Sequence, residues 1–157
     1  MAIDLDEFDL VLSALYVGHA LNDEMLVRLA EAGHSRLRFG HRMLFQQLRD
    51  GERSIGELAT AMGVTQQAIS KTVSELEELG YLQRQPGEDA RVRLVGLTPA
   101  AEDALSAARD ARGEIVEQLR EELGADRVDA ATELLHDVLR ARGAMPPTRN
   151  GRRAAAS

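Results

Sequence analysis

The sequence predicts a mainly α-helical protein with one small β-hairpin, and three observations carry that prediction. Aromatic residues make up 3% of the 157 and Trp is absent, so the interior must be built from Leu, Val, Ala, Ile and Met, a composition that favours helices. Apolar residues recur at spacings of three and four along most of the chain, the period of a helix with a buried stripe. Only the stretch after Gly80 switches to strand-like alternation. A chain of this length buries about 68–70% of the surface its unfolded form exposes, enough for a sizeable core. There is no cysteine, which excludes a disulfide scaffold, a Cys-ligated zinc site and a thiol redox switch. No apolar run approaches the roughly 18 residues of a membrane-spanning helix. The start, MAIDLDEFD, is acidic where a signal peptide is basic, and the expectation is a soluble cytoplasmic protein.

Asp6 is placed to cap a first helix running to about Ala32 and ended by Gly33. Phe8, Val11, Leu12 and Leu15 make one apolar stripe on it and Leu10, Val17 and Leu21 another. A helix with two apolar faces touches two things, its own domain and a partner chain. Leu37, Met43, Leu44 and Leu48 give a second, more basic helix over about 36–49, stopped by Asp50-Gly51. Ser54-Ile55-Gly56-Glu57 is a Ser-x-x-Glu capping box that opens a short helix from Ile55 to Met62. Gly63-Val64 turns the chain, and Thr65 caps a further helix through Leu79, ended by Gly80.

Helix, tight Gly-containing turn and helix over 54–80 is the organisation of a helix-turn-helix. Ile69, Val73, Leu76 and Leu79 form the core face of its second helix. Their burial projects Gln66, Gln67, Ser70, Lys71 and Ser74 on the other side, all able to hydrogen-bond base edges or phosphates. Glu75, Glu77 and Glu78 make the rear half too acidic to lie against phosphates, so entry into a groove is N-terminus first. Residues 81–85 and 91–97 alternate as two strands around a turn at Pro86-Gly87-Glu88-Asp89, with Arg91 and Arg93 on one face. That hairpin makes the motif a winged helix-turn-helix. Thr98-Pro99 is a cap with a proline at the first helical position, opening a helix to about Leu123. Gly124 breaks it, and Val128, Ala131, Leu135 and Val138 mark a last helix fading by Gly143.

The predicted organisation is therefore an N-terminal dimerisation helix over 1–33, a winged helix-turn-helix DNA-binding domain over 34–98, C-terminal dimerisation helices over 99–143 and a disordered basic tail over 144–157. Charge follows the same division. Residues 1–31 carry seven acids and one Arg, whereas Arg36, Arg38, Arg42 and Arg49 precede the first acid of the middle segment; residues 102–137 carry eleven acids against four bases, and 138–157 five Arg alone. The net charge of −7 thus hides a locally basic middle between acidic arms, a layout that orients the middle toward nucleic acid.

At this point the residues resemble the MarR-type transcriptional regulators. The family pattern is similar, in order and spacing, to Glu57-Leu58-Ala59, Leu76 to Tyr81, Arg84, Asp89-Ala90-Arg91 and Leu97-Thr98. The resemblance implies an obligate homodimer with interlocking first and last helices and two winged modules on a palindromic operator of double-stranded DNA. Its implied DNA-binding set is Arg36, Arg38, Ser54, Thr65, Gln66, Gln67, Ser70, Lys71, Ser74, Arg84, Asp89, Arg91 and Arg93, with Arg91 oriented by Asp89 and entering the minor groove. It also implies a repressor released by a small anionic or phenolic aromatic effector lodged between the arms and the winged module, near Tyr16, His19 and Arg42.

Enzymatic and metal chemistry find little support in the residues. His34 and His41 are seven apart, a rise of about 10.5 Å on a helix, too far for one ion. No carboxylate-His motif accompanies His19 or His136, and no Gly-rich phosphate loop is present, so neither a catalytic site, a metal nor a cofactor is expected. The alternative function is a winged-helix protein-interaction module that does not bind DNA.

Overall fold

The computed structural model describes residues 5–89 and 92–144. A 3-10 turn, Leu5–Glu7, precedes α1 (Leu10–Glu31), α2 (Phe39–Leu48), β1 (Arg53–Ser54), α3 (Ile55–Met62), α4 (Gln66–Glu78), β2 (Leu82–Pro86), β3 (Arg93–Leu97), α5 (Pro99–Leu123) and α6 (Ala125–Ala141). The fold is mainly α-helical with a small antiparallel sheet, as the sequence predicts. The chain divides into two compact units between Ala111 and Arg112. The predicted tail lies, beyond Ala144, outside the described residues.

Three boundaries differ from expectation for identifiable reasons. Asp9, not Asp6, caps α1: its carboxylate accepts the Leu12 N–H at 2.9 Å, and the residues before it form the separate 3-10 turn. The second helix starts at Phe39 rather than near Arg36, because Arg38 is extended and the ring of His41 takes over the cap, its Nδ1 accepting the Arg38 N–H at 3.2 Å. Pro86 belongs to β2 instead of the turn, opposite Arg93. The sheet order is β1-β3-β2, so β2 is an edge strand, where a residue without an N–H is tolerated.

The third strand, β1, escapes sequence reading because two residues carry no period; it pairs Arg53 with Val95 and Ser54 with Leu94. The core lies under the winged module, where Leu44, Leu58, Val73, Leu76 and Val95 are fully enclosed, and Ala101, Ala104 and Leu105 of α5 close it. In α1 Leu29 is the buried residue, and Leu10, Val11, Leu15, Tyr16, Val17 and Val27 are exposed. No residue of α6 is buried, and Leu134, Leu135 and Leu139 face solvent.

Candidate nucleic-acid interface and an adjacent crevice

Helix α4 is built to present its N-terminal half. The Thr65 hydroxyl accepts the Ala68 N–H at 3.2 Å, fixing the first turn, while Ile69, Val73 and Leu76 anchor the inner face. Gln66, Gln67 and Lys71 are left exposed and Ser70 and Ser74 half-buried. The preceding helix is fixed in the same way. Ser54 Oγ accepts the Glu57 N–H at 3.2 Å, and a Glu57 carboxylate oxygen accepts the Ser54 N–H at 2.8 Å. The hydroxyls of Ser54 and Thr65 are thus engaged in helix capping.

Two of the three acids on the rear of α4, Glu75 and Glu77, are held by arginines from neighbouring elements. Arg38 pairs with Glu75. Arg84, on β2, pairs with Glu77 at 3.0 Å and donates to Ser74 Oγ at 3.3 Å. Local negative charge on the helix is thereby compensated from two sides. Arg93 is exposed on β3 and Asp89 exposed at the wing, whereas Arg91 lies outside the described residues. Arg36 is exposed and borders a polar surface depression with Ser35, Glu78 and Tyr81.

A crevice of about 190 Å³ opens between α1, α2 and the first turns of α5. Leu21, Met25, Leu26, Leu29, Phe45, Ala104, Leu105 and Ala108 make its walls apolar; Asn22, Arg38 and Arg42 are its polar lining, and both charges are positive. Of the three residues predicted near an effector, Arg42 lines this crevice. Tyr16 instead stacks edge-on with Phe8, ring centroids 5.1 Å apart, and His19 pairs with Asp23 at 3.4 Å. The sequence reading missed Asn22, Met25, Leu26 and Leu29; of the α1 lining it singles out Leu21, and that only as part of an apolar stripe.

Two histidines have specific surroundings. His41 is buried beneath α4, and burial lowers its pKa; Glu75 raises it and Arg38 lowers it to a smaller extent. His34 joins Tyr81 and Asp103, its two ring nitrogens at 2.9 and 3.2 Å from their oxygens. Burial, and then the Asp103 carboxylate, push the Tyr81 phenol upward. Among the described residues no group of three or more His, Cys, Asp or Glu is placed to hold a metal ion, and no helix is long and apolar enough to cross a membrane.

Residues 41–91 match the model of the MarR family. A comparison with curated protein sequences gives no match. Among solved structures, the YusO protein from Bacillus subtilis superposes with a TM-score of 0.68 at 20% identity, over 90% of this chain and 99% of that one. Wild-type apo MarR from E. coli gives 0.64 at 21% identity, over 84% and 98%. The transcriptional repressor CouR, solved bound to a 23-mer DNA duplex, gives 0.66 at 20% identity, over 88% and 99%. The chain has the MarR-type winged-helix fold, and residues 41–91, from α2 to the wing, carry the sequence pattern of the MarR family.

Proposed function

We propose that this protein is a cytoplasmic, homodimeric, sequence-specific DNA-binding transcriptional regulator, a repressor released by a small anionic or phenolic aromatic molecule. The observation that carries the proposal is the polarity of α4. Its front half offers Gln66, Gln67, Ser70 and Lys71 to solvent, and Glu75 and Glu77 of its rear half are paired with Arg38 and Arg84. Such a helix enters a major groove front first, with amide side chains positioned for base edges and Lys71 for phosphate. The exposed apolar faces of α1 and α6 support a dimer in which residues 1–33 and 99–143 associate and 34–98 read DNA. In that arrangement two copies of α4 address half-sites about one helical turn, 10–10.5 base pairs, or a multiple of it apart. Arg91, with Asp89 to orient it as the family resemblance implies, is assigned to the minor groove, whose negative potential attracts a guanidinium. The CouR structure, a like fold on DNA, supports the same reading. The crevice, with its apolar walls and two arginines, fits an amphipathic anion.

The test is selection of duplexes from a random-sequence library followed by titration of the winner at several salt concentrations. Affinity is expected to fall linearly with salt on a log–log scale, as counterions are released from phosphates. Gln67→Ala with Ser70→Ala is expected to change which bases matter. Indifference to every duplex at low salt overturns the proposal in favour of a protein-interaction module.

A further inference from the structure

Four helices of this protein, α1, α3, α4 and α6, end in the same way, and the ends of α1 and α4 are bonded to each other. At the close of α1 the N–H groups of Gly33 and His34 donate to the carbonyls of Ala30 and Leu29 at 3.0 and 2.8 Å. At the close of α4 those of Gly80 and Tyr81 donate to Glu77 and Leu76, both at 2.9 Å. Both are Schellman closures with a left-handed glycine, φ +95° at Gly33 and +81° at Gly80. His34 and Tyr81 therefore occupy the same position, directly after the glycine, and there the chain direction is fixed by the backbone. Their side chains meet in the interior: His34 Nδ1 lies 2.9 Å from the Tyr81 hydroxyl, and His34 Nε2 lies 3.2 Å from an Asp103 carboxylate oxygen on α5. Both rings are buried.

The chemistry assigns the direction of each bond. An ionised carboxylate only accepts, so Nε2 carries the proton toward Asp103. In the neutral imidazole Nδ1 is then an acceptor, and the Tyr81 hydroxyl donates to it. Every polar atom of the two rings is satisfied without water. The tyrosine ring also packs against Phe45, centroids 6.0 Å apart, so loss of its hydroxyl leaves its place in the core filled.

We infer that His34 is a positioning residue for DNA binding: through Tyr81 it fixes the C-terminal end of α4 to the end of α1, and through Asp103 to α5. The inference rests on the reading of α4 as the DNA-contacting helix. Thr98 already ties the same end to the start of α5, its N–H donating to the Tyr81 carbonyl at 3.0 Å and its hydroxyl to the Gly80 carbonyl at 2.6 Å. His34 adds α1 to that anchorage, giving the end of α4 a second, non-collinear support. The lever is long. Gln66 and Tyr81 stand at opposite ends of α4, and a swing of about 10° about the rear end displaces the front by about 3 Å, the whole length of a hydrogen bond.

Three variants separate positioning from packing. Tyr81→Phe removes the hydroxyl alone. His34→Gln keeps an amide near the Nε2 position, for Asp103, and drops the bond to Tyr81. His34→Asn keeps an amide near the Nδ1 position, for Tyr81, and drops the bond to Asp103. The probe is the duplex that the wild-type full chain selects, with melting curves recorded alongside. Tyr81→Phe and His34→Gln are expected to weaken affinity about five- to tenfold while folded, and His34→Asn to remain within about twofold of wild type. The imidazole nitrogens of neutral His34 are expected to show the Nε2–H tautomer by NMR. Equal affinity of all folded variants, with parallel loss of melting temperature, overturns the inference, because a purely structural clamp behaves that way; so does the Nδ1–H tautomer. Should Tyr81→Phe not fold, the Gln and Asn pair decides. Wild-type protein that selects no duplex overturns the reading of α4 itself, and this inference with it.

Discussion

The Arg38 guanidinium and the Glu75 carboxylate form an ion pair that joins the start of α2 to the rear half of α4. The same arginine lines the apolar crevice on its other side. Under the proposed function Arg38 thus stands between three claims on its charge: the helix acid it pairs with, a crevice anion and a DNA phosphate. A side chain with this exposure gains little from its ion pair, about 0–1 kcal/mol, so it exchanges partners at small cost.

Glu75→Gln is therefore expected to tighten DNA binding about three- to tenfold, by removing a negative charge from α4 and releasing Arg38 for phosphate. The salt slope is expected to steepen by about one phosphate contact. Stability is expected to change little, within about 0.5 kcal/mol. A duplex titration at three salt concentrations checks both quantities; an unaltered slope would place Arg38 away from phosphate.

A pH dependence follows from His41. Its ring is buried, its Nδ1 accepts the Arg38 N–H, and burial holds its folded pKa below the ordinary 6.5, against the weaker upward pull of Glu75. As pH falls through about 6.5 the unfolded chain takes up this proton while the folded ring resists it, so stability is lost on acidification and recovered above that value. Protonation at Nδ1 also removes the acceptor that caps α2. Urea unfolding between about pH 7.5 and 5.5 is expected to show a smaller loss for His41→Asn, which has no titrating ring, than for wild type. Identical slopes for the two proteins would assign the pH dependence to other groups.

Much of this arrangement is legible in the sequence where the signal is local. Ser54 with Glu57, Thr65 with Ala68, and the glycines at 33 and 80 announce helix starts and stops through atoms no more than a few residues apart, and the structure places them accordingly. The start of the second helix is not legible, because its cap is a histidine ring, a residue type that gives no cap signal. What joins distant segments leaves no such trace. His34 and Tyr81 are 47 positions apart, and in the sequence each is an isolated polar aromatic after a glycine. Arg38 and Arg84 read as part of a basic surface, since nothing local reveals that Glu75 and Glu77 lie beside them. What groups Tyr16 and His19 with Arg42 is mainly the family resemblance, and in the structure Tyr16 meets Phe8 and His19 meets Asp23.

The exposed leucines of α6 lead to a prediction about assembly. Leu135 and Leu139, four apart and so on one face, lie with the exposed Leu134 on a helix without a buried residue. These leucines are half-exposed, so covering them with a second surface gains a part of the roughly 1.5–3 kcal/mol that full burial of such a side chain is worth. Leu135→Glu is expected to convert a dimer into a species of half the mass by sedimentation at low micromolar concentration, with reduced helicity. A wild-type protein that sediments as a stable folded monomer would refute the dimer itself.

The crevice makes the remaining prediction, and its lining decides the ligand chemistry. Leucine, methionine and phenylalanine walls favour a planar hydrocarbon body, and Arg38 with Arg42 favours an anionic or phenolic end; among the described residues no acid lines the crevice. A hydroxybenzoate is expected to raise the melting temperature, whereas the corresponding neutral amide of the same shape does so much less, because a guanidinium–carboxylate bond is directional and charge-assisted. At about a hundredfold excess over Kd, binding to the folded state stabilises by about 2.7 kcal/mol, or roughly 5–10 °C for a chain of this size. Arg42→Ala is expected to remove most of the difference between acid and amide. Ala108→Phe, which fills the crevice from α5, is expected to abolish the shift for both. The acid is also expected to weaken DNA binding, through competition with Glu75 for Arg38. A melting shift that survives Ala108→Phe would locate the ligand elsewhere, and a shift without any change in DNA affinity would show that the crevice binds but does not regulate.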